Sequence, residues 1–147
     1  MVFRGNFLAK VDAQGRIKIP TVHRRILEER FGPDLYVTSL TGENALIYPF
    51  EEWEQIEAKL LEPPKMHPQK VKFLRNTNYY GQVSQVDKQG RGGIQPHLRQ
   101  SAHIEGEVAV MGNLNYLQVW NQEQFEQLLR TDPFTDQDGG ILADMGF

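Results

Sequence analysis

The side chains with the clearest capacity for chemistry in this 147-residue chain are two arginines 75 positions apart, Arg16 and Arg91. Each closes a copy of one six-residue stretch: Val11-Asp12-Ala13-Gln14-Gly15-Arg16 returns as Val86-Asp87-Lys88-Gln89-Gly90-Arg91. The same offset carries Ile19 to Ile94 and Arg24 to Arg99. Lys10, Lys18 and Arg25 crowd the first copy with further cations, and Arg4 precedes it. A guanidinium donates two parallel hydrogen bonds in a planar fork, which suits phosphate oxygens and the guanine edge. The chemistry implied is therefore recognition of a polyanion, and two equivalent copies suit a repetitive one such as duplex nucleic acid. A purely structural role competes with this reading, because Asp12 and Arg16 could simply pair across a turn, as could Asp87 and Arg91. Exposed pairs contribute only about 0–1 kcal/mol, and such pairing leaves the neighbouring cations unexplained.

Other chemistries find little support. The absence of cysteine removes disulfides, thiolate metal sites and cysteine nucleophiles. His23, His67, His97 and His103 have no metal-ligand spacing and read as surface residues, so no metal or other cofactor is expected. Glu51, Glu52, Glu54 and Glu57 read as a solvated helix face rather than an acid/base pair. Neither GxSxG nor GxxxxGK[ST] occurs, and nothing suggests the convergent polar pocket that a small-molecule substrate would need. Tyr48, Trp53, Trp120 and Phe125 read as packing residues. No run of about 18 apolar residues exists to span a membrane, and the opening residues lack a secretory apolar segment, so a cytoplasmic location is expected.

The net charge of −3 conceals strong segregation. Residues 1–30 carry seven Lys/Arg against three Asp/Glu, and residues 65–103 carry seven against one. Residues 34–62 and 105–147 reverse the balance, with one against seven and one against eight. Each copy begins basic and ends acidic, so folding could gather cations on one side.

The elements that must position these residues follow from periodicity. Phe7 to Val11 alternates as a strand, and Arg16 and Lys18 alternate with Ile17 and Ile19 after a polar break, which reads as a hairpin turned by Asp12 and Gly15. Pro20 opens a helix bearing Val22, Ile26, Leu27 and Phe31, which Gly32-Pro33 stops. A strand pair, 35–40 and 45–48, leads to a helix with Trp53, Ile56, Leu60 and Leu61 on its buried stripe. The second copy repeats strand, turn (Asp87, Gly90), strand and helix from residue 79. Ile47-Tyr48-Pro49 and Trp53 return as Val119-Trp120-Asn121 and Phe125 at an offset of 72. The expected organisation is a first repeat over 1–62, a proline-rich linker and short helix over 63–78, a second repeat over 79–130, and an acidic mobile tail over 131–147.

At Val-Asp-x-Gln-Gly-Arg, followed by Ile17-Lys18-Ile19-Pro20 and Arg24, the chain resembles the AbrB/SpoVT swapped-hairpin group of DNA-binding proteins. Two copies, the opening Phe3-Arg4-Gly5, Leu46-Ile47-Tyr48-Pro49 before Trp53, and Val119-Trp120 are similar to the MraZ family over roughly residues 2–130. The resemblance implies an α+β fold of two tandem swapped-hairpin repeats, each a β-hairpin plus helix, sharing a pseudo-twofold, barrel-like core. It implies a nucleoid-associated bacterial transcriptional regulator that is not an enzyme. Such a regulator binds short direct repeats in double-stranded DNA upstream of the division and cell-wall operon, and assembles as a ring-shaped homo-oligomer. Arg16 and Arg91 match the family's motif arginines. Lys10, Arg24 and Arg25 match basic contact positions of the wider group, with Lys18, Arg99 and Arg4 as further DNA-contact candidates. The second copy departs from the pattern: Gly92-Gly93 replaces an aliphatic pair, and Gln85, Gly93 and Gln100 stand in place of Lys10, Lys18 and Arg25. A looser second hairpin is expected, with the first copy dominating DNA binding. The other class considered is an antitoxin-like protein-interaction module without direct DNA readout, against which the long second copy argues.

Overall fold

A computed structural model describes residues 2–147; Met1, which opens the first repeat, lies outside the described residues. The first half contains β1 (Asn6–Lys10), β2 (Arg16–Lys18), α1 (Thr21–Ile26), β3 (Asp34–Thr38), β4 (Ala45–Pro49) and α2 (Phe50–Leu60). Then come α3 (Pro68–Tyr79), β5 (Gln82–Gln85), β6 (Arg91–Gly93), α4 (Pro96–Ala102), β7 (Glu107–Gly112), β8 (Leu117–Asn121), α5 (Gln122–Thr131) and α6 (Asp136–Asp144). The fold is α+β, as the resemblance implied.

The turns form where the sequence places them, but the strands on either side do not pair with each other. β1 runs antiparallel to β7, with Lys10 opposite Glu107, and β2 pairs with β6, with Ile17 opposite Gly92. The second copy does likewise, β5 pairing with β3 instead of β6. The local hairpins read from periodicity are thus exchanged between the two copies, as the swapped-hairpin resemblance implied. Alternation specifies which face of a strand is buried and leaves its partner open. A three-residue strand forms few ladder bonds, so the partner is chosen by burial. Crossing buries Ile17 and Ile19 completely (0% and 1% exposed) alongside Leu35, Ile94 and Leu98. Burial of such an aliphatic side chain contributes about 1.5–3 kcal/mol. Two further bonds fasten the exchange symmetrically: the Ile19 N–H donates to Gly90 O at 2.8 Å, and the Ile94 N–H to Gly15 O at 3.0 Å.

The main sheet has the order β1-β7-β8-β4-β3-β5, with β4 and β8 side by side at its centre. Its two ends do not meet, so the barrel-like core expected from the resemblance is not closed; the β2–β6 ribbon is a separate two-stranded sheet. One core of aliphatic residues from both copies fills the space between.

On the helices the expectations divide. α1 buries Ile26 but leaves Val22 53% exposed, and it passes into a π-helical turn, Leu27–Phe31, that Gly32 ends at φ 106°. His23, expected at the surface, is fully buried between the rings of Phe3 and Phe7, and among the described residues neither ring nitrogen has a hydrogen-bond partner. Burial lowers its pKa, because a charged imidazole would lose its hydration there. The side facing the core is decided by where Phe3 and Phe7 pack, a tertiary matter that shifts the stripe by one residue. On α2, Trp53 is buried and stacks on Tyr36 and on Phe73 of α3, whereas Leu61 lies outside the helix and is exposed. Residues 131–147 include α6, whose Thr135–Asp138 capping box satisfies donors at its N-terminus.

Candidate nucleic-acid interface

Each motif turn is built around its aspartate. Asp12 Oδ1 accepts the backbone N–H of Gln14 and of Arg16, both at 2.9 Å, while Oδ2 accepts Arg16 Nε at 2.9 Å. Asp87 repeats the pattern with Gln89 and Arg91 at 2.9, 2.9 and 3.0 Å. In both, the backbone N–H of the motif arginine is the main reason the carboxyl titrates below its ordinary range, with the guanidinium adding to it. Gly15 and Gly90 take φ of 77° and 78°, which side chains other than glycine's rarely adopt.

The strand exchange brings the two turns together. Arg16 Nη1 lies 4.0 Å from Asp87 Oδ2, and Arg91 Nη1 lies 3.9 Å from Asp12 Oδ2. Two aspartates and two arginines therefore form one crossed, pseudo-twofold cluster in which Nε atoms serve the local carboxylate and Nη atoms approach the other copy's. All four side chains keep 30–34% of their surface. Four charges this exposed remain hydrated and adjustable, so the Nη groups are available to an incoming anion.

The other cations divide into two groups. Arg24 donates through Nε to Glu28 at 2.9 Å and through Nη2 to Lys88 O at 3.1 Å; it covers the second turn so closely that a Cβ on Gly90 would meet its guanidinium. Arg99 donates to Ile94 O at 2.8 Å and covers Gly15 in the same way. Each helix arginine thus braces the turn of the opposite copy, a function that repeat spacing could not reveal. Lys10, Lys18, Arg4 and Arg25 are exposed. Lys10 and Lys18 border a groove of about 610 Å³ between β1 and the start of α1, and Arg4 and Arg25 border its neighbour, with Val22 common to both. In the second copy Gln85 bonds Asp34 at 2.6 Å, and Ser84 with Gly93 lines a smaller groove. Cation density is therefore concentrated beside the first motif. Lys88, exposed at the tip of the second turn, joins the cationic edge although the sequence reading passed over it. The signal was present, since it is the one mismatch between the motif copies, where the first has Ala13.

Among the described residues, no group of three or more His, Cys, Asp or Glu side chains could hold a metal ion. No described helix is long and apolar enough to cross a membrane.

A family model described as "MraZ protein, putative antitoxin-like" matches residues 2–76 and 82–139. Curated relatives named "Transcriptional regulator MraZ" include one from Koribacter versatilis, 46% identical over 146 residues, and one from Acidobacterium capsulatum, 43% identical over 145, each match covering 99% of both chains. Another, from Syntrophobacter fumaroxidans, is 35% identical over 88% of this chain and 86% of its own.

Proposed function

This chain belongs to the MraZ family, and on that premise we propose that it binds double-stranded DNA through the edge formed by its two crossed motifs. It is a transcriptional regulator and not an enzyme. The observation carrying the DNA reading is the crossed cluster: Arg16 and Arg91, remote in sequence, stand within 4.0 Å of each other's aspartates with a third of each side chain in solvent. Guanidinium forks held by a carboxylate at Nε keep their outer nitrogens oriented for phosphate or guanine. Lys10, Lys18, Arg4 and Arg25 supply phosphate neutralisation, with Lys88 from the second turn; Arg24 and Arg99 hold the turns. The sites recognised are short direct repeats upstream of the division and cell-wall operon. The protein acts in the cytoplasm at the nucleoid as a homo-oligomer, whose several edges raise apparent affinity on successive repeats.

The test is salt-titrated binding to duplex DNA from immediately upstream of the protein's own gene. Arg16→Ala weakens binding more than Arg91→Ala, because only the first motif has Lys10, Lys18 and Arg25 beside it. Equal or reversed losses refute the ranking, and a complex indifferent to salt refutes DNA binding by this edge.

A further inference from the structure

The main sheet ends in two outer strands, β1 and β5, and the two copies finish them differently. On β1, the Val11 N–H donates to Gly106 O at 2.9 Å and Gly5 O accepts the Gly112 N–H at 2.8 Å. Both bonds follow the β1–β7 register, so the odd-numbered residues of this segment bond toward β7. Asn6, Leu8 and Lys10 therefore aim their backbone N–H and C=O the other way, where the sheet has no further strand and no turn or cap bond reaches them. All three carry exposed side chains, Leu8 at 61%. This edge is one wall of the groove of about 610 Å³; the start of α1 is the other, with Val22 53% exposed on it.

The second copy supplies the comparison. At the same offset of 75, Val83 stands for Leu8 and is 57% exposed, but the groove beside β5 measures only about 190 Å³. Ser84 Oγ donates across it to Gly93 O at 3.4 Å, and Gln95, which replaces Pro20, turns away to donate to Val37 O at 3.0 Å. No charged residue lines it. The first groove is lined by Lys10 and Lys18 and by no carboxylate.

Two features of that groove serve no purpose for a phosphate backbone: the apolar side chains of Leu8 and Val22, and the unpaired strand edge. An extended peptide uses both, since main-chain bonds to an open edge supply affinity and alternate side chains reach the same wall. The lysines select its charge. A second β1 in this place would bring the lysines of two copies together, so complementarity favours an acidic strand from a different protein.

We propose that the β1 groove takes an extended acidic and apolar peptide segment of a partner protein as an added strand. Its apolar side chains lie on Leu8 and Val22, and its carboxylates meet Lys10 and Lys18. Five residues of β1 offer an edge about 17 Å long, enough for a five-residue strand. Peptide and duplex then exclude each other, because both need Lys10 and Lys18; this exclusion rests on the DNA reading, whereas the docking itself does not.

The experiment is fluorescence anisotropy on the full-length protein with a labelled octapeptide, Asp-Glu-Val-Thr-Ile-Thr-Asp-Glu, and the same peptide N-methylated at its four central residues. Wild type binds the first and binds the second at least about tenfold more weakly, because methylation removes the strand-forming donors. Leu8→Pro deletes the outward N–H without costing a ladder bond, and Val22→Gln removes apolar contact; each weakens the peptide at least about fivefold while circular dichroism shows the fold intact. Val22→Gln leaves duplex binding unchanged, and unlabelled peptide displaces a labelled duplex from wild type. No peptide binding by wild type up to about 1 mM overturns the proposal. Equal binding of the methylated peptide, or of the unmethylated one by folded Val22→Gln, overturns it as well. A duplex that saturating peptide does not displace overturns the exclusion. Wild type that binds peptide and no duplex refutes the DNA reading and leaves the groove assignment standing.

Discussion

Lys10→Gln/Lys18→Gln isolates the electrostatic part of the proposed mechanism from the stability of the fold. Both lysines are exposed, and among the described residues neither pairs with a carboxylate, so neutralising them leaves the crossed aspartate–arginine cluster untouched. Taking Lys10, Lys18, Arg4, Arg25 and Lys88 as one phosphate contact each, the logarithm of the binding constant falls against the logarithm of salt with slope about −4.5. Raising salt from about 50 to 200 mM then weakens wild-type binding about 500-fold. The double variant retains three contacts, a slope of about −2.7 and a loss of about 40-fold over the same range. Fluorescence anisotropy on a labelled duplex with a single site, read at four or five salt concentrations, gives the slope directly. The converse substitution, Gly93→Lys, places a cation where the first copy has Lys18. Gly93 has ordinary backbone φ, and a Cβ there meets nothing nearer than Ser84 Oγ at 4.0 Å. It steepens the slope by about 0.9. A double variant whose slope matches wild type, with an unchanged unfolding midpoint, refutes the assignment of Lys10 and Lys18 to phosphate.

Gly15→Ala lowers stability by about 1–2 kcal/mol from the positive φ alone, and further through displacement of Arg99 from its carbonyl; urea unfolding measures it. A cost below about 0.5 kcal/mol contradicts the brace, for which a neutral surface change is the reference. His23 gives stability a pH dependence. The unfolded imidazole takes up its proton near pH ~6.5, while the buried one resists until lower pH, so stability is complete above that value and declines as pH falls through it. His23→Leu removes this decline, measured as urea midpoints between about pH 7.5 and 5.5 on either side of the unfolded value; an identical pH profile for wild type and variant refutes the assignment.

Much of the site was readable because its determinants are local. Asp12 and Gly15 build the turn from donors within four residues, and the repeat at Asp87 and Gly90 confirmed that the pattern is structural as well as cationic. The alternation of Arg16 and Lys18 with Ile17 and Ile19 placed the cations outward and the aliphatics in the core. Arg24 and Arg99 also brace turns, a role hidden in the sequence because Lys88 O and the turn at Gly15 belong to the opposite copy. His23 was misread for the same reason: its pocket is assembled by Phe3 and Phe7, from outside its own helix.

By itself, then, the amino-acid order determined that the chain is a duplication, where each turn falls, that the motif cations alternate with buried aliphatics, and where positive charge accumulates. These follow from steric preference, side-chain alternation and composition, all set within a few residues. The folded chain decided that β2 pairs with β6 and not with β1, that the sheet stays open, and that Arg16 and Arg91 meet. Strand partners are chosen by which arrangement buries the most aliphatic surface, and that comparison exists only between segments far apart in the chain.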